Sequence, residues 1–141
     1  MKVTLILAEY ASAMPNGLFT LVNGGIESVA TNEQAAIVQG SLLARIHQEA
    51  AEAGPHTLRI TLMDQDGRQM APPMVMSFES APRTGAVALV FGVSLQLPIG
   101  SYGFHAVMDN QIAGSTELRI VRPAPAGGSG GAPPTQPPVG Q

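Results

Sequence analysis

Residues 86–97, AVALVFGVSLQL, carry a large apolar side chain at every second position. A period of two places these side chains on one face of an extended strand, whereas a helix would scatter them around its axis. The run therefore predicts a long strand with one buried face, which needs a second apolar layer to cover it. The residues on that face are Val87, Leu89, Phe91, Val93, Leu95 and Leu97.

Shorter runs with the same period follow one another along the first 121 residues. Residues 58–62 and 102–108 alternate apolar and polar side chains, and turn residues interrupt the chain about every 8–12 positions. A chain of 141 residues also suits a single domain. We therefore predict an all-β domain over residues 2–121, an antiparallel Ig-like β-sandwich of about eight or nine short strands.

Residues 31–53 leave two interpretations open. Thr31 in a cap-like position and apolar residues spaced four apart indicate a helix. Apolar residues at every second position over 36–47 indicate a strand instead, and Gly40 would weaken a helix by about 1 kcal/mol. We favour the strand because the segments on both sides are β-like, with a loop or a helical turn over 48–55.

The first residues, MKVTLILAEYASAM, combine features of a secretory signal and of a β-strand. The apolar run over 3–8 ends at Glu9, whereas a signal needs about 7–15 apolar residues before its cleavage site. We therefore predict a first strand, paired with residues 18–22 through a turn at Met14–Gly17, and a cytoplasmic protein. We expect Glu9 to point to solvent, since a buried glutamate is rare and needs a partner.

The composition changes at Arg122 to a sequence dominated by Pro and Gly, in which Val139 is the one large apolar residue. Such a segment cannot offset the entropy of ordering by burying apolar surface. We therefore predict a flexible, disordered tail over residues 122–141.

Low charge and the absence of cysteine exclude several classes of function. Charged residues make up 12% of the chain and the net charge is -3, with no basic cluster of the kind that binds nucleic acid. Without cysteine there are no disulfides, thiolate metal sites or cysteine nucleophiles. No apolar run approaches the roughly 20 residues of a membrane-spanning helix, so we expect no membrane partner.

The residues able to carry chemistry do not form a recognisable site. His47, His56 and His105 lack the spacing of metal ligands, and we expect the first and last to lie on outward strand faces. Residues 64–67, DQDG, resemble the start of an EF-hand loop, but the twelfth position is Val75 rather than Glu, so we predict a turn. We therefore predict no catalytic residue, no metal site and no cofactor. The carboxylates considered, on separate predicted strands, are Glu9, Glu27, Glu79 and Glu117.

The turn and strand motifs resemble an uncharacterised bacterial family of small β-sandwich proteins, a domain of unknown function. The similarity begins with Ala8-Glu9-Tyr10-Ala11, the turn at Gly17 and the pair Gly24-Gly25. It continues in LRITLMDQDGR at 58–68 and LPIGSYGFHAVMDNQ at 97–111. The resemblance covers about residues 2–121 and implies a soluble bacterial β-sandwich, and it implies no activity.

Three functional hypotheses remain. The first is a non-catalytic binding or accessory module that acts through protein–protein contact or self-association, as a homodimer or by sheet-edge pairing. The second is a structural or assembly component, such as a phage or particle protein, with the tail over 122–141 as an anchor. The third is a small-ligand or carbohydrate binder, which the absence of Trp makes less favourable. An enzyme is the least favoured class because no catalytic constellation is present.

Overall fold

A computed structural model describes residues 1–81 and 85–124, and their regular structure is almost entirely β. The strands form two sheets, and one short 3-10 turn lies at Ala50–Glu52. The prediction of an all-β chain is therefore confirmed. The strands are β1 (Lys2–Ala13), β2 (Phe19–Gly24), β3 (Ser28–Ala30), β4 (Ala35–Gln48), β5 (Gly54–Asp64), β6 (Met74–Ser80), β7 (Gly85–Pro98), β8 (Gly100–Met108) and β9 (Gln111–Val121).

The first sheet has the strand order β2-β1-β4-β7, and the second has the order β3-β9-β8-β5-β6. All neighbours run antiparallel except β3, which pairs parallel to β9 with Ser28 opposite Arg119. The prediction of a purely antiparallel fold is wrong at this strand. The chain leaves β2 and crosses to the other sheet instead of turning back in a hairpin, so the crossing sets the direction of β3.

One hydrophobic core lies between the sheets, and both of them supply its side chains. The alternation that predicted β7 is confirmed, because Phe91, Val93 and Leu97 are buried while Gly92 and Gln96 are exposed. The largest fully buried side chains are those of Phe104, Leu7, Leu42, Leu43, Ile46, Leu58, Ile60, Leu97, Leu118 and Ile120.

The ambiguous segment after residue 31 is a strand, as favoured, and the helical interpretation is wrong. Strand β4 pairs with β1 on one side and with β7 along its full length on the other. Of the two possibilities predicted for residues 48–55, a loop or a helical turn, the structure contains a helical turn, the 3-10 turn at Ala50–Glu52. Gly40 allows the backbone of β4 to lie close to that of β1, since a Cβ at this position would overlap the carbonyl oxygen of Ala8. Pairing with two neighbouring strands therefore overrides the four-residue spacing of the apolar side chains.

Strand β1 changes partner at Ala8 and then bends over its own sheet. Up to Ala8 it pairs with β4, and from Ala8 onward it pairs with β2, with Tyr10 opposite Val22. This confirms the predicted pairing of the opening strand. The far half of β1 and all of β2 form an arm, residues 8–24, that lies on the outer face of the first sheet. Its inner side chains, with those that they cover, are Ala11, Phe19, Leu21, Ile6, Leu43, Ala88 and Val90.

The predicted tail lies mostly outside the described residues. Arg122 is described, and its Nη1 donates hydrogen bonds to the carbonyl oxygens of Thr31 and Glu33, at 3.1 and 2.5 Å. These bonds hold the end of β9 against the segment between β3 and β4.

The backbones of the two sheets are in contact where β9 passes β1. A Cβ built on Gly114 would overlap the carbonyl oxygen of Val3, so only glycine permits this backbone contact. We expect Gly114→Ala to lower the free energy of unfolding by about 1–3 kcal/mol, because backbone rather than a flexible side chain must move. Urea denaturation followed by circular dichroism measures the change.

Gly92→Ala is the matched control, because a Cβ at that exposed strand position meets nothing within 4 Å. We expect it to leave the free energy of unfolding unchanged or slightly increased, since glycine costs entropy in a strand. Equal stability of the two variants would contradict the proposed contact.

Candidate functional site

Strand β7 has one edge that no strand of the described residues pairs with, although the turn at Gly17 packs against the carbonyl oxygen of Ala86 near the start of β7. It lies at the end of the first sheet, and its described partner is β4, from Ala35 opposite Pro98 to Gln48 opposite Gly85. Its fourteen residues include no Asp, Glu, Lys or Arg. A long edge without charges exposes backbone donors and acceptors that another strand can pair with. This edge is the candidate functional site.

The other sheet edges in the described ranges are less suited to pairing. Strand β3 has three residues, and β6 has seven residues that include Glu79. Strand β2 has six, and the Nδ2 of its Asn23 donates a 2.7 Å hydrogen bond to Glu9 Oε1. Short strands and edge charges are the devices that proteins use against edge pairing. Strand β7 therefore stands out by its length and neutrality.

A cleft of about 200 Å³ opens beside this edge, between β7 and the edge strand β6 of the other sheet. Its walls come from both sheets and reach the core residues Ile60 and Phe104, which are almost completely buried. The cleft and the unpaired edge therefore lie side by side on this side of the molecule.

His56 is held by hydrogen bonds at both of its ring nitrogens. Its Nδ1 lies 2.6 Å from Asp109 Oδ2, and its Nε2 lies 2.5 Å from the carbonyl oxygen of Glu52. The carbonyl oxygen can only accept, so Nε2 carries a proton, and the carboxylate favours a second proton on Nδ1. The bond to Asp109 raises the pKa of His56, the Glu52 carbonyl raises it further, and the same ion pair lowers the pKa of Asp109.

The surroundings of this ion pair show that it connects separate parts of the fold. Asp109 Oδ1 also accepts the backbone N–H of Thr57 at 3.0 Å. Asp109 and Asn110 have φ angles of 49° and 71°, as a two-residue hairpin turn between β8 and β9 requires. Glu52 Oε2 lies 2.6 Å from the amino group of Met1. The network connects the first residue, the 3-10 turn and the β8–β9 turn.

No local pattern predicts the His56–Asp109 pair, because 53 positions separate the two residues. An Asp-Asn dipeptide between two alternating runs does predict a turn with positive φ angles. It does not predict which side chain of a distant strand the turn will contact.

The other candidate residues lie apart from one another. Glu9 is exposed, as expected. His47 is exposed on an outward strand face, with its Nε2 3.3 Å from Arg45 Nη1. His105 is half-buried on the outer face of the second sheet, in a groove that also contains Glu117. Throughout the described part of the chain, no three His, Asp or Glu side chains are placed to share a metal ion.

The EF-hand-like residues form a turn, as predicted. Asp64 Oδ1 accepts the backbone N–H groups of Asp66 and Arg68, both at 2.9 Å, and Oδ2 lies 3.0 Å from Arg68 Nε. These bonds lower the pKa of Asp64, with the backbone of Arg68 as the largest contributor. The carboxylate is therefore used within the turn, and Gly67 supplies the φ angle of 80° that the turn needs.

Stability should depend on pH through His56. Because its folded pKa is raised, the ion pair contributes fully below the unfolded pKa of about 6.5 and is lost as pH rises through the folded value. We expect the free energy of unfolding to fall by about 0.5–1 kcal/mol over that rise, since Asp109 is 48% exposed. Urea titrations at several pH values measure it.

His56→Gln should flatten this pH dependence, and His47→Gln should preserve it, because His47 is exposed and lacks a carboxylate partner in the described structure. An unchanged slope in His56→Gln would show that another group titrates.

Comparison with known proteins gives one family. A crystal structure of a proposed beta-galactosidase from Bacteroides fragilis is similar over 60% of this chain, with 16% identity and a TM-score of 0.42, and the chain spans 15% of that protein. No curated protein matches the chain. No described helix is long and apolar enough to cross a membrane.

The model of DUF6941, a family of unknown function, matches residues 3–121, and the chain therefore belongs to that family.

Proposed function

We propose that this protein is a non-catalytic contact module that forms a homodimer by pairing β7 with β7 of a second copy. The observation that carries the proposal is the uncharged edge strand of fourteen residues, which no described strand pairs with on its outer side. Antiparallel pairing about a two-fold axis would join the two four-stranded sheets and satisfy the backbone groups of both edges.

The neutrality of β7 favours self-pairing in particular. In an antiparallel pair of identical strands, residues near the strand centre lie opposite the same residues of the partner. A charged residue there would face its own copy, and like charges directly opposite destabilise a sheet. Gly92, close to the centre of Gly85–Pro98, is exposed and leaves open space where a Cβ would be.

The non-catalytic part of the proposal is supported by the environment of His56. A general base needs a ring nitrogen that can reach the substrate. Both nitrogens of His56 are engaged by protein acceptors, and its side chain is 14% exposed. A cytoplasmic location accords with the absence of cysteine and with the use of Val3, Leu5 and Leu7 in the core.

We also propose that the two sheets form an Ig-like sandwich. The strand orders β1-β4-β7 and β9-β8-β5-β6 match the A-B-E and G-F-C-C′ orders of immunoglobulin-like domains. Tyr102, near the start of β8, donates a 2.7 Å hydrogen bond to the carbonyl oxygen of Pro98, as in the tyrosine corner of those domains. The disulfide of antibody domains has no counterpart, because the chain lacks cysteine.

An assembly component anchored by its C-terminal residues is the alternative. Its support is the Pro- and Gly-rich composition after Arg122 and the hydrogen bonds that fix Arg122 to Thr31 and Glu33. Deletion of residues 123–141 separates the two ideas. It should leave the homodimer intact under our proposal, and it should abolish higher assembly under the alternative, with light scattering as the measurement.

Gly92→Lys and Gly92→Glu test the homodimer directly. Light scattering of the wild type at micromolar concentration should give twice the chain mass of 14.6 kDa. Each variant alone should be monomeric, because two like charges would meet near the centre of the pairing. An equimolar mixture of the two variants should recover the doubled mass, because the opposite charges then attract.

Gln39→Lys is the control, since Gln39 is exposed on the neighbouring interior strand β4, opposite Ser94. It should keep the doubled mass. A monomeric wild type, or a mixture that stays monomeric, would exclude the proposed pairing.

A further inference from the structure

We infer that the cleft between β6 and β7 is a binding site for a small, uncharged molecule with an aliphatic or aromatic body. This inference goes beyond the proposed association, because it concerns the space between the sheets rather than the strand edge. It rests on the position, lining and volume of the cleft.

The cleft lies on the side where the sheets do not close. On the opposite side, β9 packs against β1 through the backbone contact at Gly114. Strands β6 and β7 end their sheets, so no further strand covers the space between them in the described structure. The segment before β6 forms one wall, held by the bond from Met70 N–H to the Leu62 carbonyl oxygen at 2.8 Å. This wall belongs to the folded structure and gives the cleft a defined shape.

The side chains that line the cleft are apolar apart from that of Ser94, and none is charged, while the unpaired edge of β7 places backbone polar groups beside them. Water in the cleft finds few hydrogen-bond partners away from that edge, so an apolar molecule can take its place with little loss. Met74 lies at the lining, and methionine adapts its shape to different occupants. The lining residues are Ile60, Leu62, Ala71, Pro72, Met74, Gly92, Val93, Ser94, Leu95 and Phe104.

The volume limits the size of the ligand. The cleft measures about 200 Å³, while sites for drug-sized ligands span about 300–1,000 Å³. An apolar cavity of about 150 Å³ is enough to bind benzene. A molecule of roughly six to ten non-hydrogen atoms therefore fits.

The charge of the ligand follows from the same lining. An ionised head group drawn into the cleft would lose hydration without meeting an opposite charge, because no lining side chain is charged. A hydroxyl or other neutral polar group can instead bond with the unpaired backbone groups of the β7 edge beside the cleft. The structure thus favours a neutral amphiphile such as a short-chain alcohol over the matching carboxylate or amine.

Three probes of one chain length test this specificity: 1-hexanol, hexanoate and hexylammonium. Titrations followed by nuclear magnetic resonance of backbone amides give the dissociation constants. We expect 1-hexanol to shift the amides of β6 and β7 that line the cleft, and to bind at least about tenfold more tightly than either charged probe. Equal binding of the three probes, or shifts scattered over the surface, would overturn the inference.

Ala71→Trp places a large side chain at the half-buried wall of the cleft and should weaken 1-hexanol binding at least about tenfold. Ala51→Trp is the control, because Ala51 is exposed in the 3-10 turn and lies outside the cleft lining. Its affinity should match that of the wild type. Unchanged binding in Ala71→Trp would overturn the inference.

Light scattering of the same samples separates this inference from the homodimer. Binding of 1-hexanol by a monomeric wild type would support the cleft and exclude the dimer. Loss of the doubled mass in Ala71→Trp, without 1-hexanol binding by the wild type, would overturn the ligand site and assign the cleft to the dimer interface.

Discussion

The backbone contact between Gly114 and Val3 determines how the two sheets sit on each other. It brings β9 and β1 too close for any side chain to intervene, so the sheets are closed along that side. Two twisted sheets joined closely on one side diverge toward the other, and here the far side ends in β6 and β7. The free edge and the apolar cleft both lie there. The openness of one side is therefore a consequence of the closure of the other.

Local patterns were sufficient to predict most strands. The alternation in β7 and the turn at Asp64 depend on residues that are close in sequence, and both were predicted correctly. The parallel pairing of β3 and the bend of β1 at Ala8 depend on which distant strand lies alongside. No periodicity encodes that choice, because the same side chains suit either partner. The sequence alone shows that Gly40 is unfavourable in a helix, but its close contact with the carbonyl oxygen of Ala8 depends on the fold.

The candidate site was partly predictable for the same reason. The expectation of edge pairing followed from the low charge, but the identity of the edge strand required the strand order. The cleft unites residues from 60–104, and only the packing of the two sheets brings them together. The ion pair between His56 and Asp109 could not be predicted at all, because the two residues are 53 positions apart and neither local pattern depends on the other. Both ring nitrogens of His56 are hydrogen-bonded within the protein, to Asp109 and to the carbonyl oxygen of Glu52.

The arm over residues 8–24 gives the first sheet a second buried face. Leu43 is fully buried on the side that would otherwise meet solvent, and Ala88 on β7 is buried beside it. The outer face of an antiparallel sheet usually carries polar residues because it contacts water. Positions that the arm covers do not contact water and can therefore be apolar. The arm and the apolar character beneath it should therefore be inherited together. A relative that has lost the arm should carry polar residues at the positions of Leu43, Ala88 and Val90. The residue types at these three positions should therefore indicate whether a family member has the arm, although they lie outside it in the sequence.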